Sequence, residues 1–160
     1  MSKEYKVLIS DKISQRAIET LQKNNIAYDY MPDCGISNTL IDVIEPYTGL
    51  IIRSASKVSK DVITRGKNLQ AIGRAGIGVD NIDIKAASSK GIVVMNTPHG
   101  NAITTAEHTL AMIFAASRQI PAADHSTRKG KWEKSKFLGQ ELTGKTLGLI
   151  GVGNIGSIVA

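Results

Sequence analysis

The stretch Thr146-Leu147-Gly148-Leu149-Ile150-Gly151-Val152-Gly153-Asn154-Ile155-Gly156 decides how the last part of this 160-residue chain is expected to fold. Its apolar start, Thr146–Ile150, predicts a β-strand, and the glycines that follow predict a tight turn into a helix. A strand, a Gly-x-Gly-x-x-Gly turn and a helix form the context in which backbone N–H groups bind a dinucleotide pyrophosphate. The acidic residue that binds the ribose is expected about 20 residues further on. Because the sequence ends at Ala160, we expect it to be the front part of a larger enzyme.

The rest of the chain alternates short apolar runs with helical patterns. Six runs are predicted as strands: Lys6–Ile9, Ala27–Tyr30, Gly49–Ile52, Gln70–Gly73, Ile92–Met95 and Thr146–Ile150. Helices are predicted over Ile13–Lys23, over Lys60–Arg65 with Ser59 as its N-cap, and over Ile84–Lys90, which Gly91 ends. This alternation is typical of an α/β fold, a parallel sheet covered by helices.

The pattern changes near Pro98. From Ala102 to Ser117 the chain predicts a long apolar helix, which must be covered over most of its surface. A polar stretch, Pro121–Lys136, follows it. We therefore predict one domain over residues 1–98 and the beginning of a second over residues 99–160, with the long helix at a domain junction or a subunit interface.

Composition narrows the class of protein. With 42% hydrophobic and 21% charged residues, the chain is predicted to be globular and soluble, and no segment suggests a signal peptide or a membrane span. A single cysteine, Cys34, excludes an internal disulfide and favours the cytoplasm. The net charge of +6 is concentrated in residues 128–136, but aromatic content is 4% and no nucleic-acid-binding motif is present. That basic segment is therefore either a solvated face or an attraction for an anionic substrate or a partner subunit.

Polar and glycine-rich turns follow three of the predicted strands. They are Arg53-Ser54-Ala55, Arg74-Ala75-Gly76-Ile77-Gly78 and Asn96-Thr97-Pro98-His99-Gly100-Asn101. Ligands bind open parallel sheets at the carboxyl ends of the strands, where cations, amides and approachable backbone suit a small anion. Each turn by itself could be a plain polar loop, but three at one edge favour a binding site. His99 has no acidic neighbour to orient it, and the histidines lack metal-ligand spacing, so neither a catalytic residue nor a metal site is predicted.

Five motifs share their order with a known family: Gly73-Arg74-Ala75-Gly76-Ile77-Gly78-Val79-Asp80-Asn81-Ile82-Asp83, Val94-Met95-Asn96-Thr97-Pro98-His99-Gly100-Asn101, Ala106-Glu107-His108, Gly130-Lys131-Trp132-Glu133 and Leu142-Thr143-Gly144-Lys145-Thr146-Leu147-Gly148. With the glycine turn behind them, they resemble the D-isomer-specific 2-hydroxyacid dehydrogenases over almost the whole chain. The resemblance implies a flavodoxin-like substrate domain followed by the first part of a Rossmann dinucleotide-binding domain, here truncated.

The resemblance also implies roles for individual residues. The residues implied for substrate binding are Arg53, Ser54 and Asn101, with Arg74 and Gly76 beside the substrate. The residues implied for binding NAD are Ile77, Gly151, Gly153, Asn154, Ile155 and Gly156, with the backbone N–H groups of Asn154 and Ile155 facing the pyrophosphate. Many members of the family carry Thr where this chain has Ile77. The family's catalytic Arg, Glu and His have no counterpart in the 160 residues.

The activity implied is hydride transfer from C2 of a small anionic 2-hydroxy acid to NAD, in a homodimer or tetramer. Trp132 is expected to insert into the neighbouring subunit, or else to pack against its own helix. Arg53 and Arg74 together favour a phosphorylated substrate. The alternatives are an enzyme for another 2-hydroxy acid, such as glycerate or lactate, and a non-enzymatic nicotinamide-sensing binding module. The isolated chain is expected to be inactive, and binding of nucleic acid or membrane is not expected.

Overall fold

The computed structural model describes residues 5–35 and 39–160. Two compact units divide the chain, Met1–Gly100 and Asn101–Ala160. The strands are β1 Lys6–Ile9, β2 Ala27–Tyr30, β3 Gly49–Ile52, β4 Ala71–Arg74 and β5 Val93–Asn96. The helices are α1 Gln15–Lys23, α2 Leu40–Val43, α3 Lys60–Arg65, α4 Ile84–Ser89, α5 Ala102–Ser117, α6 Ile120–Arg128 and α7 Gly156–Val159, with a 3₁₀ turn at Lys134–Lys136.

The first unit is built on a five-stranded sheet in the order β2-β1-β3-β4-β5, with every pair parallel. In this register Leu8 lies between Asp29 of β2 and Leu50 of β3. The central strands supply the fully buried core, which includes Leu8, Leu50, Ile52 and Ile72. The predicted parallel α/β fold is therefore confirmed. The chain first steps from β1 outward to β2 and then back past β1 to β3, so the winding direction reverses between β1 and β3.

The helix ends of this unit follow local chemistry. Ser59 caps α3 as predicted, since its hydroxyl oxygen accepts from the Val62 N–H at 3.4 Å. Asp83 caps α4 in the same way by accepting from the Ala86 N–H at 2.9 Å. Gly91 follows the end of α4 at φ +69°, a left-handed conformation that glycine adopts without strain. Strands β4 and β5 each begin and end one residue later than the sequence predicts.

The second unit differs from its prediction in two places. Helix α5 has the predicted bounds, and α7 follows the glycine turn and packs against α5. The polar stretch after α5 contains a helix, α6, that the sequence pattern does not predict.

The predicted strand Thr146–Ile150 is wrong, because this segment has no regular secondary structure. A strand needs a neighbour to complete its hydrogen bonds, and in the described part of the second unit no strand lies beside it. Across residues 5–35 and 39–160, no helix is long and apolar enough to cross a bilayer.

Candidate functional site

The carboxyl ends of β1 and β3 meet where the winding of the sheet reverses, which is the usual ligand position in such sheets. A pocket of about 210 Å³ lies there, and its lining residues are Asp11, Lys12, Pro32, Arg53, Ser54 and Ala55. A neighbouring, wider depression of about 490 Å³ shares Lys12 and Arg53 with it. Two cationic residues therefore border both cavities.

Asp11 fixes the backbone of the segment after β3, residues 53–56, which we call the β3 loop. Its side chain is buried, with 2% of the residue exposed. One carboxylate oxygen accepts from the N–H groups of Arg53, at 2.5 Å, and Ser56, at 3.2 Å. The other accepts from the Ser56 hydroxyl at 2.8 Å. The buried carboxylate thus receives the hydrogen bonds that a buried charge requires.

Ser56 connects this carboxylate to the buried Ser10 hydroxyl and lies against Gly35. Its hydroxyl oxygen lies 2.7 Å from that of Ser10. Because the proton of Ser56 goes to Asp11, the Ser10 hydroxyl is the donor in this pair. Gly35 lies directly over Ser56, since a Cβ atom at position 35 would overlap the Ser56 side chain. Position 35 therefore accommodates no side chain while Ser56 keeps this place.

Asn81 holds the β3 loop from the other side. Its amide nitrogen donates to the carbonyl oxygens of Arg53 and Ser56, each at 2.7 Å. A short parallel bridge between Val58 and Ile82 places Asn81 there, and the Val58 N–H donates to the Asn81 carbonyl at 2.8 Å. Ile82 is buried in the core, so the position of Asn81 follows from the packing of its neighbour.

Arg74 lies under the loop that follows β4, and its side chain is 12% exposed. Its Nε donates to Oδ1 of Asn81 at 2.8 Å, and its Nη2 lies 4.0 Å from Oδ1 of Asp80. The guanidinium is also close to Gly76, where an added Cβ would come within 2.6 Å of Nη1. In this structure Arg74 therefore contacts its own loop. Its predicted place beside a substrate, like that of Gly76, stays a prediction.

Hydrogen bonds from both neighbouring strands fix the backbone of residues 75–77. The Ala75 N–H donates to the Ile52 carbonyl at 2.9 Å. From the other side, the Thr97 N–H donates to the Gly76 carbonyl at 3.0 Å, and the Asn96 amide donates to the Ile77 carbonyl at 2.7 Å. The loops after β3, β4 and β5 thus form one connected edge, as expected for parallel neighbours.

In the second unit, the residues predicted to bind NAD surround the start of α7. Gly151 adopts φ +94°, and Gly156 approaches so closely that a Cβ atom there would overlap the Gly151 carbonyl. A Cβ atom at Gly153 would meet no atom within 4 Å, so the backbone there faces open space. The Ser157 N–H donates to the Gly153 carbonyl at 2.9 Å and closes the turn. Glycine is thus required at two positions of the turn, and a third leaves room for a ligand.

Asn101, predicted to contact the substrate, is the N-cap residue of α5 and is exposed. The Asn101 carbonyl accepts two hydrogen bonds from Thr105, one from its backbone N–H at 2.9 Å and one from its side-chain hydroxyl at 2.8 Å. Its side chain makes no capping hydrogen bond. The backbone of Asn101 is therefore fixed by the first turn of the helix.

Comparison with known proteins identifies the class. Residues 7–153 match the family described as D-isomer specific 2-hydroxyacid dehydrogenase, catalytic domain, and the chain belongs to this family. Among curated relatives, the D-3-phosphoglycerate dehydrogenase of Archaeoglobus fulgidus is 50% identical over 156 residues, and that of Sus scrofa is 49% identical over 155. These alignments cover 97% of this chain but 29% of each relative, so the chain spans less than a third of their length.

Solved structures agree with this assignment. The NAD⁺-bound 3-phosphoglycerate dehydrogenase of Entamoeba histolytica matches 98% of this chain and 49% of its own, with a TM-score of 0.76 and 31% identity. The TT0316 protein of Thermus thermophilus matches 96% of this chain and 51% of its own, with a TM-score of 0.82 and 30% identity.

Two residues that organise the edge of the sheet, Asp11 and Asn81, were not singled out from the sequence. For Asp11 a signal is present, because a charged residue two positions beyond a buried strand at the switch point is a candidate on topology alone. Asn81 lies inside a glycine-rich motif. The glycines of this motif predict close approach of the backbone, but no pattern in it predicts the hydrogen bonds of the Asn81 amide.

Proposed function

We propose that this chain provides the substrate-binding region and the first cofactor-binding turn of an NAD-dependent D-3-phosphoglycerate dehydrogenase. That enzyme oxidises D-3-phosphoglycerate to 3-phosphohydroxypyruvate, a step of serine biosynthesis. The observation that carries the proposal is the 50% identity, over 97% of the chain, to a curated enzyme of that name. The D-lactate dehydrogenase of Aquifex aeolicus, which is named for another 2-hydroxy acid, is 25% identical.

Arg53 and Ser54 supply the substrate contacts. Both side chains are exposed at the pocket, while the backbone of the β3 loop is fixed by Asp11 and Asn81. Nη1 of Arg53 donates to the Lys12 carbonyl at 3.2 Å, which directs the guanidinium toward the loop after β1. Arginine suits carboxylate and phosphate oxygens because its donors can bind two of them at once. Arg74, Gly76 and Asn101 complete the proposed set.

The glycine turn and Ile77 supply the cofactor contacts. The open space at Gly153 and the close approach of Gly156 to Gly151 fit a turn whose backbone meets a pyrophosphate. The proposed roles of Asn154 and Ile155 are to present backbone N–H groups to it, and the proposed role of Ile77 is to contact the nicotinamide side of the cofactor. NAD⁺, when bound, accepts the hydride from C2 of the substrate. The proposed role of the residues named here is to bind and orient the substrate and the cofactor.

We further propose that the protein assembles as a homodimer or tetramer in the cytoplasm. Helix α5 exposes Ile103, Met112 and Phe114, each more than half accessible, and Trp132 is 80% exposed. Large exposed apolar side chains favour association with another surface. The exposure of Trp132 also supports its insertion into a neighbouring subunit over packing against its own helix.

A chimeric enzyme tests the reaction. Residues 1–153 of this chain are joined to the remainder of the Archaeoglobus fulgidus relative and assayed with NAD⁺. We expect kcat/KM for D-3-phosphoglycerate to exceed that for D-glycerate by about 100-fold, since each charge-assisted contact to the phosphate contributes about 1.5–3 kcal/mol. Equal kcat/KM for the two substrates, or a preference for D-lactate, would contradict the proposed substrate.

A further inference from the structure

Two side chains from distant parts of the sequence hold both ends of the β3 loop. Asp11 accepts from the N–H groups of Arg53 and Ser56, which are the first and last residues of the loop. Asn81 donates to the carbonyl oxygens of the same two residues. The loop is therefore fixed through its N–H groups on one side and its carbonyl groups on the other.

The chemistry of Asn81 leaves one orientation for its amide. An asparagine amide has two N–H donors and a carbonyl acceptor. Both donors are directed at the two loop carbonyls, and Oδ1 accepts from Nε of Arg74 at 2.8 Å. The reversed orientation would set the amide oxygen against two carbonyl oxygens and its N–H groups against the Arg74 donor. Asn81 therefore joins the β3 loop to Arg74 through three directional hydrogen bonds.

Three of the four residues of the β3 loop are exposed. Arg53, Ser54 and Ala55 are exposed, whereas Ser56 is fully buried beside Asp11. A long arginine side chain on a fixed backbone loses less conformational freedom on binding than one on a mobile loop, so its affinity for an anion is greater.

We propose that Asp11 and Asn81 are positioning residues. They hold the β3 loop in the conformation that presents Arg53 and Ser54 to an anionic substrate. Asn81 also fixes the position of the Arg74 side chain relative to that loop. The inference rests on the proposed function for the identity of the substrate, because Arg53 and Ser54 are the residues proposed to bind it.

Asn81→Asp tests the proposal in the 160-residue chain. The carboxylate still accepts from Arg74, but its second oxygen now faces the two loop carbonyls and repels them. Asn81→Ala removes the same hydrogen bonds without adding charge and serves as the second variant if the first does not fold. The matched control is Ser59→Ala, which removes the N-cap of α3 and lowers stability without touching the β3 loop.

Two readouts are measured by NMR on each variant: amide hydrogen exchange at Arg53 and Ser56, and titration with 3-phosphoglycerate. We expect exchange at these two amides to accelerate, and the affinity for 3-phosphoglycerate to fall, by about tenfold or more in the Asn81 variants. In Ser59→Ala, the unfolding midpoint falls and the affinity stays within about twofold.

The other outcomes separate the positioning role of Asn81 from the proposed substrate. The loop amides of the Asn81 variants could exchange faster while the affinity for 3-phosphoglycerate stays unchanged. That result would overturn the positioning role and leave the proposed function standing. An equal loss of affinity in Ser59→Ala also overturns it, since the effect would then follow stability alone. If the wild type ignores 3-phosphoglycerate but binds D-glycerate or D-lactate through Arg53, the proposed substrate falls and the same variants decide the positioning role with that ligand. Binding of none of these acids overturns both proposals.

Discussion

The Tyr47 hydroxyl donates to Oδ2 of Asp29 at 2.5 Å, and this contact ties the start of β3 to the edge strand β2. Lys6 of β1 reaches the same carboxylate, with Nζ 2.6 Å from Oδ2. Hydrogen bonds from Lys6 and then from Tyr47 lower the pKa of Asp29. Burial, and then the hydrogen bond to Asp29, raise the pKa of Tyr47 to about 12 from its ordinary value of 10.0.

This contact predicts how stability depends on alkaline pH. Because the folded state favours the protonated phenol, the stabilisation is fully present below pH 10.0 and is lost as the pH rises to about 12. The difference in unfolding free energy between wild type and Tyr47→Phe should therefore decrease by roughly 2–3 kcal/mol over this interval. Urea unfolding at several pH values measures it, and a difference that stays constant from pH 9 to pH 12 would contradict the prediction.

Arg53→Ala should weaken binding of 3-phosphoglycerate much more than binding of NADH. The loss of a charge-assisted contact to an anion costs about 1.5–3 kcal/mol, while the cofactor contacts proposed here lie elsewhere in the chain. Isothermal titration of both ligands with the chimeric enzyme measures the two affinities. Arg65→Ala is the matched control, since Arg65, the last residue of α3, forms a surface ion pair with Glu45. Equal losses for both ligands would remove Arg53 from the proposed substrate site.

Gly153→Val should abolish cofactor binding in the chimeric enzyme. The branched side chain would occupy the open space at position 153, where the pyrophosphate is proposed to meet the backbone. An NADH fluorescence titration measures the effect. Binding of 3-phosphoglycerate by the same variant is the control and should persist, because Arg53 and Ser54 are unchanged. A normal NADH titration would refute the role of this turn.

Trp132→Ala should shift the chimeric enzyme toward monomer and raise its KM for 3-phosphoglycerate. An exposed tryptophan among lysines favours a place in an interface, and aromatic anchors of this kind contribute about 2 kcal/mol or more to association. Sedimentation velocity measures the assembly. Tyr5→Ala, which removes an exposed aromatic residue from the first unit, is the control. A variant that stays fully assembled with an unchanged KM would argue against this interface.

Much of the fold could be predicted because its signals are local. Strands β1, β2 and β3 and helices α3 and α5 have the predicted bounds, since short apolar runs, the Ser59 cap and helical periodicity are all read within a few residues. The position of Arg53 and Ser54 at a strand end followed for the same reason. The contacts of Asp11 with Arg53 and Ser56 join residues 42 and 45 positions apart, and no local pattern encodes them.

The predicted strand at Thr146–Ile150 failed because strand formation depends on contacts outside the segment itself. The segment has the composition of a buried strand, yet composition sets only a preference, and pairing with a neighbour determines whether a strand forms. Within the described second unit, no strand is present to pair with it. Ile150, which a central strand would bury, is fully exposed.

Gly35 and Ser56 are a coupled pair for protein engineering. A side chain at position 35 would overlap the Ser56 hydroxymethyl group and would also come within 2.9 Å of the Ser56 Cα, so Ser56→Gly would relieve only part of the overlap. That second change would remove the hydroxyl that donates to Asp11, and a buried carboxylate would lose a partner. Library designs that vary the two positions independently will therefore recover Gly35 and Ser56 together.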